Sequence, residues 1–419
     1  MSAEPDGIAP PPPGTGPSRS RRPPMWQVAA AGLAVAGAVT AAVLLSGSGG
    51  GTVEHSAPAT AADGLRHTAV DASTGSCGRG WIRPKTGTQV FDLRNTGANA
   101  TEVYLTDPHS GKVYGEVEGL APGITRPMVV DLGSGSYAFK CLQEDTDAVT
   151  GPTVVVPGTV PRGPAAVPVT QHDLIPPTLA YQKWVGDRIG DLGRGVKALE
   201  ADIDGGDLAA ARRDWLSAHL VYERMGAAYG TFGDADGAIN GTAARTPGAV
   251  QDPDFTGFHR IEYGLWHGAS AASLRTPAAK LVGDVKALDD DWSQERMDPA
   301  DMGLRAHEIV ENAEQFELTG RTDYGSGTNL ATARANLDGT KELLDRLNSL
   351  LVPRDPGAAK LTATLKRAEA DLDAAHHGDT WTPLDRLAHD QRQRINADFG
   401  DLLEQLAPVA AIFDVRRTA

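Results

Sequence analysis

PGTVPRGPAAVP, residues 157–168, divides the sequence into two parts with different residue patterns. Its four prolines favour an extended, semi-rigid linker, and we place that linker at residues 158–170. Short runs of strand-forming residues precede the linker, whereas long segments with helical character follow it. The sequence therefore predicts a multidomain protein, with a β-domain followed by an all-α domain.

The part before the linker, residues 65–157, contains short strand-like runs separated by turn signals such as Asp107-Pro108 and Ala121-Pro122-Gly123. Strands at this spacing predict a β-sandwich of about 90 residues. The predicted strands are Gln89–Arg94, Glu102–Thr106, Lys112–Val117, Thr125–Asp131, Ser136–Cys141 and Thr153–Val156.

The part after the linker, residues 171–419, is predicted to form a bundle of antiparallel helices, because long helical segments are joined by short loops. Capping residues before a proline, at Asp298-Pro299, Asp355-Pro356 and Thr382-Pro383, mark helix starts. The predicted helices are Thr178–Ile203, Asp207–Tyr229, Thr256–His267, Thr276–Arg296, Pro299–Glu317, Asn329–Leu351, Ala358–His376 and Pro383–Phe413.

The N-terminal region carries the signals of a membrane-associated protein. Residues 1–24 are rich in Pro, Gly and Ser and contain three arginines, which predicts a disordered cytoplasmic tail. Residues 25–47 are uncharged and long enough to span a bilayer as a helix, and residues 48–64 resemble a flexible tether. Both domains would then lie outside the cytoplasm at the cell membrane. If the apolar segment is instead a cleaved signal peptide, the protein is secreted or periplasmic.

Charge and cysteine content exclude some classes of function. The net charge of −15 argues against nucleic acid as a partner and is compatible with binding cations. The two cysteines, Cys77 and Cys141, are too few for a structural zinc site. Outside the cytoplasm, two cysteines in one small domain usually pair, so we predict a disulfide between them.

The motif GFHRIEYGLWHG, residues 257–268, is the most specific chemical signal in the sequence. His259 and Glu262 are three residues apart, so a helix places an imidazole and a carboxylate on one face. Such a pair can bind zinc, iron or copper, depending on the other ligands. The surrounding apolar and aromatic residues indicate a buried helix, in which a histidine–glutamate pair needs partners.

A second helix offers a third ligand for this metal ion. Trp215, His219, Tyr222 and Glu223 fall on one side of it, and we predict that Glu223 points towards His259 and Glu262. The alternative is that Glu223 pairs with Arg224 or with solvent. A third cluster, Glu308, Glu311 and Glu314, is predicted to form a solvated acidic face.

From about residue 65 to its end, the chain resembles the EfeO-type iron-uptake components. The matching segments are His259-Arg260-Ile261-Glu262, Tyr222-Glu223-Arg224, residues 116–123 and Tyr137-Ala138-Phe139-Lys140-Cys141. The resemblance implies a cupredoxin-like β-domain joined to an imelysin-type, peptidase-like helical domain. It also implies capture of ferric or ferrous iron at the cell surface or in the periplasm, in cooperation with an iron permease and a haem peroxidase-like protein.

The chain departs from the family pattern at two positions where acidic residues are often found. Gly226 stands three residues after Glu223, and Asn240 stands further along. Both substitutions remove an oxygen ligand from the predicted site.

The resemblance also suggests a second metal site in the β-domain, built from Glu102, Glu116 or Glu118, and Cys141 or Glu144. A blue-copper site needs two histidines and a thiolate. The β-domain offers His109, Met128 and Cys141, with His67 at its edge, which does not complete that set.

The sequence contains no complete protease motif and no phosphate-binding loop with its lysine, so we assign no catalytic residue. The sequence leaves two alternatives to iron capture. One is a zinc-type metallopeptidase that uses His259 and Glu262 as ligands, and the other is a non-catalytic surface module that binds a ligand in a helical cleft.

Overall fold

The computed structural model describes residues 63–143, 146–244, 246 and 248–416. The predicted cytoplasmic tail, the apolar segment 25–47 and Glu144 lie outside the described residues, as does the predicted tether up to residue 62. Within the described residues, no helix combines the length and the apolar character needed to cross a membrane.

The N-terminal part of the described chain consists of two β-sheets. One sheet has the strand order β1-β2-β5, and the other has the order β4-β3-β6-β7, with β8 also paired to β6. Strand β1 runs parallel to β2, and the other pairs are antiparallel. The strands are β1 His67–Ala72, β2 Gly87–Asn95, β3 Thr101–Thr106, β4 Val113–Leu120, β5 Thr125–Leu132, β6 Gly135–Gln143, β7 Val149–Thr150 and β8 Val154–Val156.

The two sheets bury a common apolar core, as expected for a β-sandwich. Phe91 from the first sheet and Phe139 from the second meet edge to face, with ring centroids 5.1 Å apart, and Trp81 contacts both rings. A disulfide joins Cys77, before β2, to Cys141 on β6, with the two Cα atoms 5.9 Å apart. Six of these strands were predicted from the sequence, whereas β1 and β7 were not.

The C-terminal part is helical. Helix α1 packs against α2 and α6, α10 packs against α7 and α9, and α8 contacts α1, α2, α7 and α9. The helices are α1 Gln171–Gly205, α2 Leu208–Glu223, α3 Tyr229–Phe232, α4 Asp234–Asn240, α5 Gly257–Trp266, α6 Ala271–Trp292, α7 Met302–Asn312, α8 Asn329–Leu351, α9 Ala358–Asp373 and α10 His389–Phe413, and a short hairpin of β9 His376–His377 and β10 Thr380–Trp381 lies between α9 and α10.

Local sequence signals explain some helix boundaries and fail at others. Thr170 caps α1 and forms a reciprocal capping box with Asp173, so the helix begins seven residues before the predicted Thr178. The predicted helix Asp207–Tyr229 was too long, because α2 ends at Glu223 and the chain turns through Gly226–Ala228. Likewise, the proline signal at residue 383 begins only a short 3₁₀ turn, and α10 begins at His389.

The proline-rich linker is held by contacts with both of the parts that it connects. Ala166 forms an isolated antiparallel β-bridge with Val113 of β4, in which each backbone N–H donates to the carbonyl of the other residue. On the helical side, Arg354 donates hydrogen bonds to the carbonyls of residues 167 and 168, at 3.2 and 3.1 Å. Val169 is fully buried in the helical core. These contacts fix the linker to both the β-sandwich and the helices.

Candidate metal centre

Helix α5 is fixed against α2 and α4 at its first turn. Its first residue, Gly257, has a φ of +77°, and a Cβ atom there would lie 2.1 Å from the carbonyl oxygen of Ile239. Only glycine is compatible with so close an approach. The indole nitrogen of Trp215 on α2 donates to the carbonyl of Phe258, at 2.9 Å. The start of α5, which carries His259, is therefore held on two sides.

His259 and Glu262 form a buried pair on α5. Their exposed fractions are 3% and 1%, and His259 Nδ1 lies 3.2 Å from Glu262 Oε2. The other oxygen, Oε1, accepts from the backbone N–H groups of Tyr324 and Ser326, at 3.0 and 3.1 Å, and from the Ser326 hydroxyl at 2.6 Å. Burial acts to raise the pKa of Glu262, but the bonds from His259 and Ser326 outweigh it and lower that pKa.

A second buried pair lies at the end of α2. His219 Nε2 donates to Glu223 Oε1 and to Asn240 Oδ1, each at 3.1 Å. Glu223 also accepts from the amide groups of Asn240, at 2.7 Å, and Asn336 of α8, at 2.9 Å. Burial opposes the charge on Glu223, but the bond with His219 and those with the two amides lower its pKa to about 2.

A third buried carboxylate, that of Glu317, was missed by the sequence analysis. Helix α7 is continued by a π-helical turn, Ala313–Glu317, and Glu317 at its end is 8% exposed. Its oxygens accept from Thr322 Oγ1, at 2.6 Å, and Asn329 Nδ2, at 2.8 Å. Burial, together with the negative charge of Glu223, raises the pKa of Glu317 to about 7. The carboxylates of Glu223 and Glu317 are therefore close enough for the charge of one to affect the ionisation of the other.

These residues form one enclosed cluster. The rings of His219 and His259 meet at 5.4 Å between centroids, and the rings of Phe258 and Tyr324 pack against them. Within the described part of the chain, no three His, Cys, Asp or Glu side chains already converge on a point where they could hold a metal ion. Each histidine instead bonds a glutamate of its own helix. Binding a cation through Glu223 would therefore require His219 to release that carboxylate.

The predicted ligands of the helical domain lie on two neighbouring helices, with His259 and Glu262 on α5 and Glu223 at the end of α2. Glu223 does not pair with Arg224, which bonds Asp338 instead. A Cβ added at Gly226 would lie 3.0 Å from Ile309, so the space beside this glycine is already occupied by the apolar side chain of Ile309.

The acidic run on α7 and its continuation is less buried than Glu317. Glu308 bonds Arg305, and Glu311 bonds Gln315 and lies 3.8 Å from His307. Glu308, Glu311 and Glu314 are all partly exposed, as the solvated face predicted.

The second metal site proposed for the β-sandwich needs a correction. Cys141 is in the disulfide and cannot supply a thiolate. Glu102 accepts from the Tyr104 hydroxyl, at 2.7 Å, and Glu116 forms a two-bond ion pair with Arg416. Burial, reinforced by neighbouring carboxylates, raises the pKa of Glu118.

The histidines and the methionine considered for copper are dispersed over the β-sandwich. His67 bonds Asp63 and Asp92, whereas Met128 lies in the apolar core and His109 in the turn after β3. A blue-copper set does not form from them.

Comparison with known proteins gives two findings. Residues 178–409 match the imelysin family. The chain is also similar to the iron uptake system component EfeO of Escherichia coli strain K12 and of Shigella flexneri. Each relative is 26% identical over 305 residues, which cover 72% of this chain and 79% of the relative.

Proposed function

The chain belongs to the imelysin family, and on that premise we propose that it is the metal-binding component of an iron-uptake system. In this proposal the protein captures iron outside the cytoplasm and delivers it to a membrane permease that works with a haem peroxidase-like protein. The similarity to EfeO supports the link to iron uptake. The observation that carries the proposal is the buried cluster of His219, Glu223, His259, Glu262 and Glu317.

Hydrogen bonding suggests how the ligand roles are divided. Glu262 accepts four hydrogen bonds, one of them from His259 Nδ1. In a neutral ring this bond leaves the lone pair on Nε2, the arrangement by which a carboxylate orients a metal-binding histidine. We therefore propose His259, Glu223 and Glu317 as ligands and Glu262 as the positioning residue for His259. His219 must release Glu223 before that carboxylate can bind the ion.

Burial supplies the driving force for taking up a cation. Burial makes the ionised form of Glu317 costly and, together with the charge of Glu223, raises its pKa to about 7. A metal ion placed between Glu223 and Glu317 would offset their repulsion. Mixed nitrogen and carboxylate ligands suit iron, and they also suit zinc and copper, which are the expected competitors.

The disulfide supports a location outside the cytoplasm, because disulfides persist in oxidising compartments. We propose that the protein is held at the cell membrane by residues 25–47, or released when that segment is cleaved. A zinc-type metallopeptidase that used His259 and Glu262 as ligands would need a free lone pair on each of these groups. Glu262, the carboxylate nearest to His259 in sequence, is instead saturated by hydrogen bonds.

The proposal is tested by titrating the full chain, freed of metal, with ferrous iron under anaerobic conditions and with zinc. His259→Ala and Glu223→Gln should each weaken iron binding at least tenfold. The matched control is His307→Ala with Glu311→Gln, a half-exposed histidine and glutamate four residues apart on one helix. This control should bind iron as the unchanged protein does.

Circular dichroism of each variant separates lost binding from lost folding. Equal iron affinity in the unchanged protein, His259→Ala and Glu223→Gln would refute the site. Hydrolysis of a peptide library that stops when a chelator is added would instead support the metallopeptidase.

A further inference from the structure

One continuous segment of the chain donates hydrogen bonds to all three buried glutamates of the cluster. This donor segment, residues 322–336, consists of a loop and the first two turns of α8. Glu317, Glu262 and Glu223 lie on three different helical elements, so the segment links carboxylates that are far apart in sequence. The donors are Thr322 and Asn329 for Glu317, Tyr324 and Ser326 for Glu262, and Asn336 for Glu223.

The buried surface of α8 is partly polar where it meets the cluster. A helix packed in a core usually turns an apolar stripe inward, whereas α8 also buries Asn329, Thr332 and Asn336, at spacings of three and four residues. A buried amide is costly unless it is hydrogen-bonded. Asn329 Nδ2 donates to Glu317 Oε2, at 2.8 Å, and Asn336 Nδ2 donates to Glu223 Oε2, at 2.9 Å. The two amides therefore hold the two carboxylates in fixed directions.

A glycine fixes the position of α8 against the end of α2. A Cβ added at Gly339 would lie 2.3 Å from the carbonyl oxygen of Arg224, so this close approach requires glycine. The amide of Asn336, three residues earlier, also donates to the backbone carbonyl of Glu223, at 3.2 Å. Asn336 is thus anchored to the main chain of the residue whose side chain it holds.

The two carboxylates proposed as ligands are bonded at both of their oxygens. In Glu317, Oε1 accepts from Thr322, at 2.6 Å, and Oε2 accepts from Asn329. In Glu223, Oε2 accepts from Asn336, and Oε1 accepts from side chains of α2 and α4. Each oxygen has two lone pairs, so one oxygen can bind an ion while the donor on the other stays in place. Turning both oxygens towards one ion would break bonds to donors that the fold holds fixed.

We propose, on the basis of the iron-binding function, that the donor segment excludes calcium from the metal site by limiting Glu223 and Glu317 to coordination through one oxygen each. Calcium prefers a shell of many oxygens and often takes both oxygens of a carboxylate. Iron and zinc accept imidazole nitrogen and are held by smaller ligand sets. Thr322, Asn329 and Asn336 are therefore positioning residues, which act on the ion through the two glutamates without touching it.

The ratio of calcium affinity to iron affinity tests this proposal. Asn336→Leu and Asn329→Leu keep the approximate shape of each side chain but remove its donor. The full chain, freed of metal, is titrated with ferrous iron under anaerobic conditions and, separately, with calcium chloride. In each variant the ratio should rise by about tenfold or more, the range typical of changes to the partners of metal ligands. Asn348→Leu, the same change at an exposed position of α8, should leave the ratio as it is in the unchanged protein.

The ratio distinguishes positioning from a purely structural role, because damage to the fold weakens the binding of both ions alike. An equal loss of calcium and iron affinity in Asn336→Leu and Asn329→Leu would therefore overturn the proposal, as would calcium binding to the unchanged protein as tightly as iron. If circular dichroism shows that the leucine variants do not fold, Thr322→Val decides by the same ratio, since it replaces the hydroxyl donor to Glu317 by a methyl group. Iron binding that depends on His259, with an unchanged ratio in these variants, would refute this proposal alone. No iron binding to the unchanged protein would refute the proposed function and this proposal together.

Discussion

Glu317→Gln should stabilise the metal-free protein at alkaline pH while weakening its binding of iron. Glu317 is buried, and its pKa is raised from 4.5 to about 7 by burial and by Glu223. A folded-state pKa above the unfolded value means that stability is greatest below the unfolded pKa. That stability is lost as the pH rises through the folded pKa.

The size of the effect follows from the shift. A rise of about 2.5 pKa units, at about 1.4 kcal/mol per unit, corresponds to about 3 kcal/mol lost at pH 8. Glutamine removes this cost but disturbs one hydrogen bond, from Thr322 or Asn329, which subtracts about 1 kcal/mol. The expected net gain is about 2 kcal/mol at pH 8, and no gain is expected at pH 5.

Urea denaturation of the metal-free protein at pH 5, 6.5 and 8 measures this difference. Glu314→Gln is the control, because it removes a partly exposed carboxylate from the same turn. Iron titration of Glu317→Gln at pH 7 should show at least tenfold weaker binding. If Glu317→Gln destabilises the protein by the same amount at every pH, the ionised carboxylate is not a source of strain in the cluster and the reasoning is wrong.

Three further predictions concern other parts of the chain. Replacing Cys77 and Cys141 by serine opens a loop with a sequence separation of 64 residues and should lower the unfolding free energy of the β-sandwich by about 4 kcal/mol; hydrogen exchange of β-sandwich peptides measures this, and unchanged exchange would contradict it. Gly257→Ala should cost about 2 kcal/mol or more, since its Cβ would meet the Ile239 carbonyl; a urea midpoint equal to that of the unchanged protein would contradict the close approach. The intact mass of the native protein should include residues 25–47 if they anchor it, whereas a mature N-terminus near residue 46 would identify a signal peptide.

Hydrophobic periodicity, together with the glycine, proline and capping residues at turns and helix ends, predicted much of the fold, because these signals reflect local conformational preferences of the backbone. Helix α8 has the predicted bounds Asn329–Leu351, since its sequence carries apolar positions throughout and begins after a polar loop. Strand β1 was missed because its pairing partner, β2, lies about 20 residues further along the chain. Its register depends on that partner and not on a nearby turn.

The candidate site was predicted best where residues on one helix share a face. The spacing of His259 and Glu262 gave their side-by-side position directly. His219 was visible on the same face as Glu223, and the signal for their bond was the spacing of four residues on a buried face. The amide donors of Asn240 and Asn336 come from other helices, and nothing in the local sequence links them to Glu223. Such long-range partners are decided by packing.

The π-helical turn at Ala313–Glu317 accommodates one residue more than an α-helical turn would, and this winding sets the direction of Glu317. A π-turn holds one more residue than the α-helical turn that it replaces, so each later side chain is rotated by roughly 100° about the axis. Winding the same residues as an α-helix would therefore turn Glu317 away from its present direction, whereas deleting one residue from the turn would restore α-helical winding and leave Glu317 facing as it does now. A relative that lacks one residue at this point could therefore present its carboxylate in the same direction from an ordinary α-helical turn, so a gap of one position here in an alignment would not by itself mean that the inward carboxylate is lost.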